Sequence, residues 1–192
     1  FRLLAGTSTG SIISAGIASG LFGMELHRLY REFGTTIFQK RLRSVLWPLT
    51  RYRYPQEPLR TALKTVLGDR VVGDLWESEF PMDVIITTFD LVENRTRFIK
   101  PFKEAYQDWS LVKAVLASSA APTFFPAVDG RFVDGGVGSY HNPAYLAAYE
   151  ARFVLDWDPA ETTLISLGTG RDPHYLQPDQ VKSFFAWDWI QP

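Results

Sequence analysis

Apolar residues open the chain as a short run over residues 1–5 and give way after Gly6 to small residues from Ser11 to Gly20, predicting a strand that turns into a helix. Met24, Leu26, Leu29, Tyr30 and Phe33 recur at helical spacing, as do Leu59, Leu63, Val66 and Leu67, so residues 24–33 and 59–67 predict two amphipathic helices. The run MDVIITTF at residues 82–89 is apolar and β-branched without alternation, which suits a strand buried on both faces, with residues 96–99 as a partner strand. A helix is expected over residues 110–120, ending before Pro122 because the residue preceding a proline is pushed out of the α region. Phe132-Val133 and residues 163–167 read as two further strands, and a helix opening at Pro143 and running to Arg152 lies between them. Strands alternating with helices predict a layered α/β sheet. No internal repeat or low-complexity tract interrupts the pattern.

Composition narrows this picture little. The 192 residues are 46% hydrophobic with a formal charge of −1, enough to bury a core within a single domain spanning 1–192, and nothing global points to nucleic acid. There are no cysteines, so disulfides and thiolate metal sites are excluded. No apolar stretch approaches the ~20 residues that span a bilayer, and no basic segment precedes a short apolar one as in a secretory signal. We therefore expect a cytoplasmic chain or one held at a membrane surface. It opens on Phe1 inside an expected strand and ends at Pro192 without a closing element, so we also expect a piece of a longer protein.

Charge is uneven in one place. Lys40, Arg41, Arg43, Arg51 and Arg53 stand in a stretch with no acid, interleaved with Trp47 and Tyr52. Cationic heads with aromatics suit lipid headgroups, and peripheral membrane contact through Lys40 to Arg53 is one expectation. A solvated loop that packs its aromatics on the body is the other.

The candidate chemistry begins at Gly6-Thr7-Ser8-Thr9-Gly10, between the first strand and the first helix. A G-x-S-x-G turn there holds its serine on a strained bend, and glycines are expected at both flanks because side chains would strike neighbouring backbone. The helix that follows directs free amides and its positive end at the same spot, favouring an oxyanion on an attacked carbonyl. A phosphate-cradling loop is the competing use of such glycines, but G-x-x-x-x-G-K-[ST] is absent and no lysine precedes Lys40.

A serine nucleophile needs a base. Of the three histidines, His27 lies on an expected helix surface and His174 in a Pro-rich tail, while His141 follows a more informative segment. Asp134-Gly135-Gly136 ends the strand at Phe132-Val133, and paired glycines let that carboxylate approach another turn and accept their amides. Asp129-Gly130 is better read as a hairpin turn. From the residues alone, Asp134 is equally a turn aspartate.

Together the motifs are more specific. Gly6 to Gly10, Ala117-Ser118-Ser119-Ala120-Ala121-Pro122 with Phe125-Pro126, Phe132-Val133-Asp134-Gly135-Gly136, Asn142-Pro143-Ala144, and Ile165-Ser166-Leu167-Gly168-Thr169-Gly170 closely resemble the patatin-like phospholipase family, in order, from Phe1 to about Arg171. The resemblance implies a patatin-like layered sandwich, a central mostly parallel sheet flanked by helices. It further implies a lipid acyl hydrolase, a phospholipase A-type carboxylic ester hydrolase with a Ser–Asp dyad, taking phospholipid or another lipid acyl ester, with no cofactor and no metal. On it Ser8 is the nucleophile and Asp134 the general base, with Thr9, Gly6 and Gly10 forming the oxyanion and elbow backbone and Gly135 and Gly136 the turn of the base. His141 stands where the family often has asparagine, and we read it as structural.

The family's Gly-rich oxyanion loop lies upstream of the elbow. Since one lost oxyanion donor costs ~10²–10³ in rate, the 192 residues alone are expected to be inactive or nearly so. Two rival readings remain: a Ser-His-Asp α/β-hydrolase esterase with His174 as base, and a noncatalytic lipid-binding module that keeps the fold.

Overall fold

The computed structural model describes residues 1–39, 51–77, 81–170 and 179. In chain order the elements are β1 (Leu3–Gly6), α1 (Thr9–Ala18), α2 (Gly23–Ile37), α3 (Glu57–Leu67), a 3₁₀ turn (Gly73–Leu75), β2 (Asp83–Asp90), β3 (Arg95–Ile99), α4 (Glu104–Gln107), α5 (Leu111–Ser118), β4 (Phe132–Asp134), a second 3₁₀ turn (Gly135–Gly138), α6 (Ala144–Tyr149) and a π turn (Glu150–Val154). The layered α/β architecture expected from the pattern is present, with helices flanking an open sheet.

β2 is the axis of that sheet. It pairs in parallel with β1, Leu3 opposite Asp83 through Gly6 opposite Ile86, and antiparallel with β3, Ile86 opposite Ile99 through Asp90 opposite Arg95. β4 pairs antiparallel with its last three residues, Thr88 opposite Asp134 through Asp90 opposite Phe132. Because β3 already occupies one edge at those residues, β4 takes the edge that β1 uses lower down. β1 and β4 therefore run toward each other along a single edge of β2, and their C-terminal ends nearly meet.

Side chains on β2 alternate between faces. Val84 and Ile86 join the core formed by Ile12, Leu29, Leu59, Leu63, Val115 and Leu116 from α1, α2, α3 and α5. Each large aliphatic side chain buried there contributes about 1.5–3 kcal/mol. α1 packs closely because its buried positions Ser11, Ser14, Ala15, Gly16 and Ala18 are small. At Gly16 an added Cβ would lie 2.6 Å from a terminal methyl of Leu26, so a side chain there would force that leucine of α2 to shift.

The far end of β2 is held by charge. Asp90, fully buried, accepts hydrogen bonds from Arg131 Nε at 2.7 Å and Nη2 at 2.6 Å, from Arg97 Nε at 3.1 Å, and from the amides of Val92 and Glu93. The Arg131 guanidinium holds its carboxyl well below the usual carboxylate range. One side chain thereby ties β2 to β3 and to the residue that enters β4.

Several boundaries differ from the sequence expectation. α2 runs to Ile37, one turn beyond residue 33, and the helix expected from Pro143 to Arg152 is a short α-helix whose last turn widens into a π turn. Ser110 caps α5, accepting the amide of Lys113 at 3.1 Å. Asp129-Gly130 is a tight turn as expected, with φ of 52° and 65° and Val128 bridged to Phe132. Residues 163–167, expected as a strand, form no ladder among the described residues. Leu164, Ile165 and Leu167 are exposed, and a gap separates the segment from β1 and α1, so its β-branched composition finds no partner backbone there.

Candidate active site

Ser8 sits between β1 and α1 with φ of 55°, in the left-handed region that costs a non-glycine residue strain. What permits the bend is Gly6: a Cβ there would lie 2.3 Å from the Gly10 carbonyl oxygen and 2.7 Å from Ser11 Cα, so helix and strand backbones touch. The expectation for Gly10 is corrected. A Cβ on Gly10 would meet nothing within 4 Å, because the crowding at this crossing is of Gly10's backbone against Gly6 and the Gly10 Cα faces open space. The turn is closed by Gly10 N–H to the Thr7 carbonyl at 2.8 Å and Ser11 N–H to the Ser8 carbonyl at 2.9 Å. Thr9 opens α1, where first-turn amides have no partner within the helix.

Asp134 ends β4 and is buried. Its Oδ1 accepts the Gly136 amide at 2.8 Å, and its own amide donates to the Ala120 carbonyl at 3.1 Å. Gly135 is required sterically, since a Cβ would lie 2.1 Å from Thr87 Oγ1 and 2.7 Å from the Thr87 carbonyl oxygen. At Gly136 a Cβ would lie 2.6 Å from the His141 ring, an exposed side chain that can swing aside, and 3.2 Å from Asp134 Oδ1. Close approach of backbone therefore explains Gly135, whereas at Gly136 the crowding comes from side chains alone. His141, exposed, lies over this turn.

The two turns meet around Thr87. Thr7, next to Ser8, places its Oγ1 2.7 Å from Thr87 Oγ1 and donates to the Tyr140 carbonyl at 2.6 Å. Gly135, next to Asp134, packs on the same Thr87. In register the end of β1 faces Ile86 and the end of β4 faces Thr88, so Ser8 and Asp134 stand in adjoining turns on either side of one residue.

Three supports were not legible as such in the sequence. Ser118 Oγ accepts the Ser8 amide at 3.0 Å, and Ala120 holds Asp134, so the small residues at 117–121 serve both turns. Thr88 Oγ1 lies within hydrogen-bond reach of the carbonyls of Ala117 and Val133, joining α5 to β4. The only signal for these roles was a run of small residues before Pro122. Asp129 is not in the site; it pairs with Lys113 at 2.7 Å. His27 is exposed on α2, away from both turns, and His174 lies outside the described residues.

An apolar cavity of about 230 Å³, open to solvent, starts at Ser8 and Thr9 and runs between α1, α2 and α3. Phe124 and Phe125 are among the residues that line it. Tyr30 crosses it to donate to the Thr9 carbonyl at 3.1 Å, and burial pushes its phenol up to about 12. Lys40 to Thr50 lie outside the described residues. Beyond them, the amides of Arg53 and Tyr54 donate to the carbonyls of Thr123 and Phe124, each at 2.8 Å, and the Arg53 guanidinium sits 5.0 Å from the Phe124 ring centroid. No group of three metal-ligating side chains occurs among the described residues, and no helix among them is long and apolar enough to cross a membrane.

A strained serine between strand and helix, beside a strand-end aspartate in a double-glycine turn, defines a class. The chain belongs to the patatin-like phospholipase family, whose model matches residues 1–148. Among its relatives, the "cGAMP-activated phospholipase" of Vibrio cholerae serotype O1 is 27% identical over 213 residues, covering 98% of this chain and 59% of that protein. The "Patatin-like protein 1" of Oryza sativa subsp. indica is 32% identical, covering 88% of this chain and 49% of that protein. The "Intracellular phospholipase A2" of Caenorhabditis elegans is 28% identical, covering 90% and 16%. The chain spans under three fifths of the length of each of these curated relatives.

Proposed function

We propose that this chain carries the catalytic dyad of a lipid acyl hydrolase that cleaves a carboxylic ester through an acyl-serine intermediate. The observation that supports it most is the convergence of the Ser8 and Asp134 turns on Thr87, with Ser8 itself lining an apolar cavity. Asp134 Oδ1 is engaged by Gly136, which leaves Oδ2 to receive a proton. As Ser8 Oγ bonds to the ester carbonyl carbon, its proton passes to Asp134 and the carbonyl becomes an oxyanion facing the Thr9 amide and the positive end of α1. The C–O bond to the alcohol breaks, the proton leaves with the alcohol or lysolipid, and acyl-Ser8 remains. Water then adds to the acyl carbon, again giving its proton to Asp134, and collapse releases the fatty acid while Ser8 regains the proton. The cavity takes the acyl chain, and the basic, aromatic sequence from Lys40 to Arg53 supplies contact with the lipid surface.

A fluorophosphonate ester probe tests this on the full-length protein, because it reports an activated serine without the natural substrate. Labelling is expected in the wild type and in His174→Ala, and is expected to fall at least ~10³-fold in Ser8→Ala and Asp134→Asn. Loss in His174→Ala would overturn the dyad in favour of a triad esterase. A folded wild type that binds vesicles but takes no label would leave a noncatalytic lipid-binding module.

A further inference from the structure

We propose that Gly34 is the chain-length determinant of this protein, its missing side chain leaving the room through which an acyl chain longer than about six carbons extends. This rests on the reading of the cavity as the acyl site. Leu29, Tyr30, Gly34 and Ile37 line the cavity from one face of α2, and Phe38, the residue that ends the helix, continues that face. Position 34 is therefore turned toward the cavity, in the middle of the row, and it alone carries no side chain.

The backbone does not require glycine there. A Cβ at Gly34 would meet no atom within 4 Å, in contrast to Gly16, whose Cβ would run into Leu26, and Gly34 is not among the positive-φ glycines. Glycine in a helix interior weakens the helix, and on an apolar face it also forgoes a packed side chain. The space it leaves is bounded across the cavity by Leu59, Ala62 and Leu63 of α3.

Its distance from the chemistry sets the chain length. Tyr30 is tethered to the Thr9 carbonyl beside Ser8. Gly34 stands one turn further along α2, about 6 Å beyond Tyr30 at the rise of an α-helix, so a chain leaving Ser8 passes roughly five methylenes or more before it reaches the space at position 34. A leucine there would close the cavity to carbons beyond about the sixth, leaving shorter chains their room.

Binding tests this without turnover. Calorimetric titration of the full-length protein with hexanoate, octanoate, decanoate and dodecanoate is expected to show affinity rising about fourfold per methylene in the wild type. In Gly34→Leu, hexanoate affinity stays within about twofold, which also reports an intact fold, while dodecanoate affinity falls at least ~50-fold, the contribution of about three methylenes. Gly34→Ala, which adds one carbon and favours the helix, is expected to lower dodecanoate affinity about fourfold and gives the answer should the leucine variant not fold. A wild-type series without chain-length dependence, or variants that leave the dodecanoate-to-hexanoate ratio unchanged, would overturn the assignment. Fluorophosphonate labelling of the same samples separates the two failures. Labelling with an unchanged ratio removes the role of Gly34 and keeps the chemistry, whereas a shifted ratio without labelling does the reverse.

Discussion

Thr87 offers the most direct probe of how the Ser8 turn and the Asp134 turn are joined, because the direction of its hydrogen bond can be worked out. Thr7 has one hydroxyl proton and gives it to the Tyr140 carbonyl at 2.6 Å, so across the 2.7 Å contact between the two threonines Thr87 is the donor and Thr7 the acceptor. Thr87→Val keeps the shape and removes the donor. Thr7 then loses only an acceptor role and no buried proton is stranded, so the cost is about 1 kcal/mol. Thr7→Val removes both bonds and strands the hydroxyl of Thr87, which is fully buried, so its cost is about 3 kcal/mol. The double variant removes the stranded group, and we expect it to be about 1 kcal/mol more stable than Thr7→Val alone. For a chain of this size each kcal/mol shifts Tm by about 2–4 °C, so calorimetry or urea unfolding of the four proteins resolves the cycle. Additive costs, or a Thr87→Val variant less stable than Thr7→Val, would refute the assigned direction and the joint role of the pair.

Two further predictions concern buried charge. Asp90, whose proton affinity is depressed chiefly by Arg131, stabilises the fold fully above the ordinary carboxylate value near 4 and loses that contribution as pH falls toward its own lower value. Wild-type Tm is thus expected to drop steeply below about pH 4, and Asp90→Asn to flatten that drop while costing about 3 kcal/mol at neutral pH; an unchanged slope in a pH series of melts would contradict this. Lys100 and Glu150 form a buried ion pair in which Glu150 Oε1 has no partner. Lys100→Met is expected to cost about 3–5 kcal/mol and Lys100→Met/Glu150→Leu to restore most of it, as chemical denaturation would show.

What the sequence disclosed follows from how local the physics is. The G-x-S-x-G turn and the Asp134-Gly135-Gly136 turn were legible because their constraints act within a few residues, or through glycines whose need for close approach shows in the residue type. Even there the reading was uneven: Gly6 is crowded and Gly10 is not, since which glycine faces backbone depends on how α1 leaves β1. The strand expected at residues 163–167 failed for the complementary reason, because β-branched composition records readiness to pair and not the presence of a partner. Ser118 and Thr87 went unread as supports because they reach their partners across 110 and 80 residues of chain, and nothing in their own neighbourhood marks them. α2 outran its pattern by a turn because Ile37 continues the buried face past two exposed threonines.

The collinear arrangement of β1 and β4 makes strand register a ruler for the distance between the Ser8 and Asp134 turns. A slip of β4 by one residue along β2 would carry Asp134 about 3.4 Å along the strand and turn its carboxylate to the opposite face of the sheet. The residue that forbids this slip is Asp90, gripping Arg131 just before β4 begins. On the proposed dyad, this salt-bridge clamp sets the spacing of Ser8 and Asp134, and substitutions at Arg131 should register as an error of alignment, measurable as lost labelling of Ser8 in a protein that is still folded.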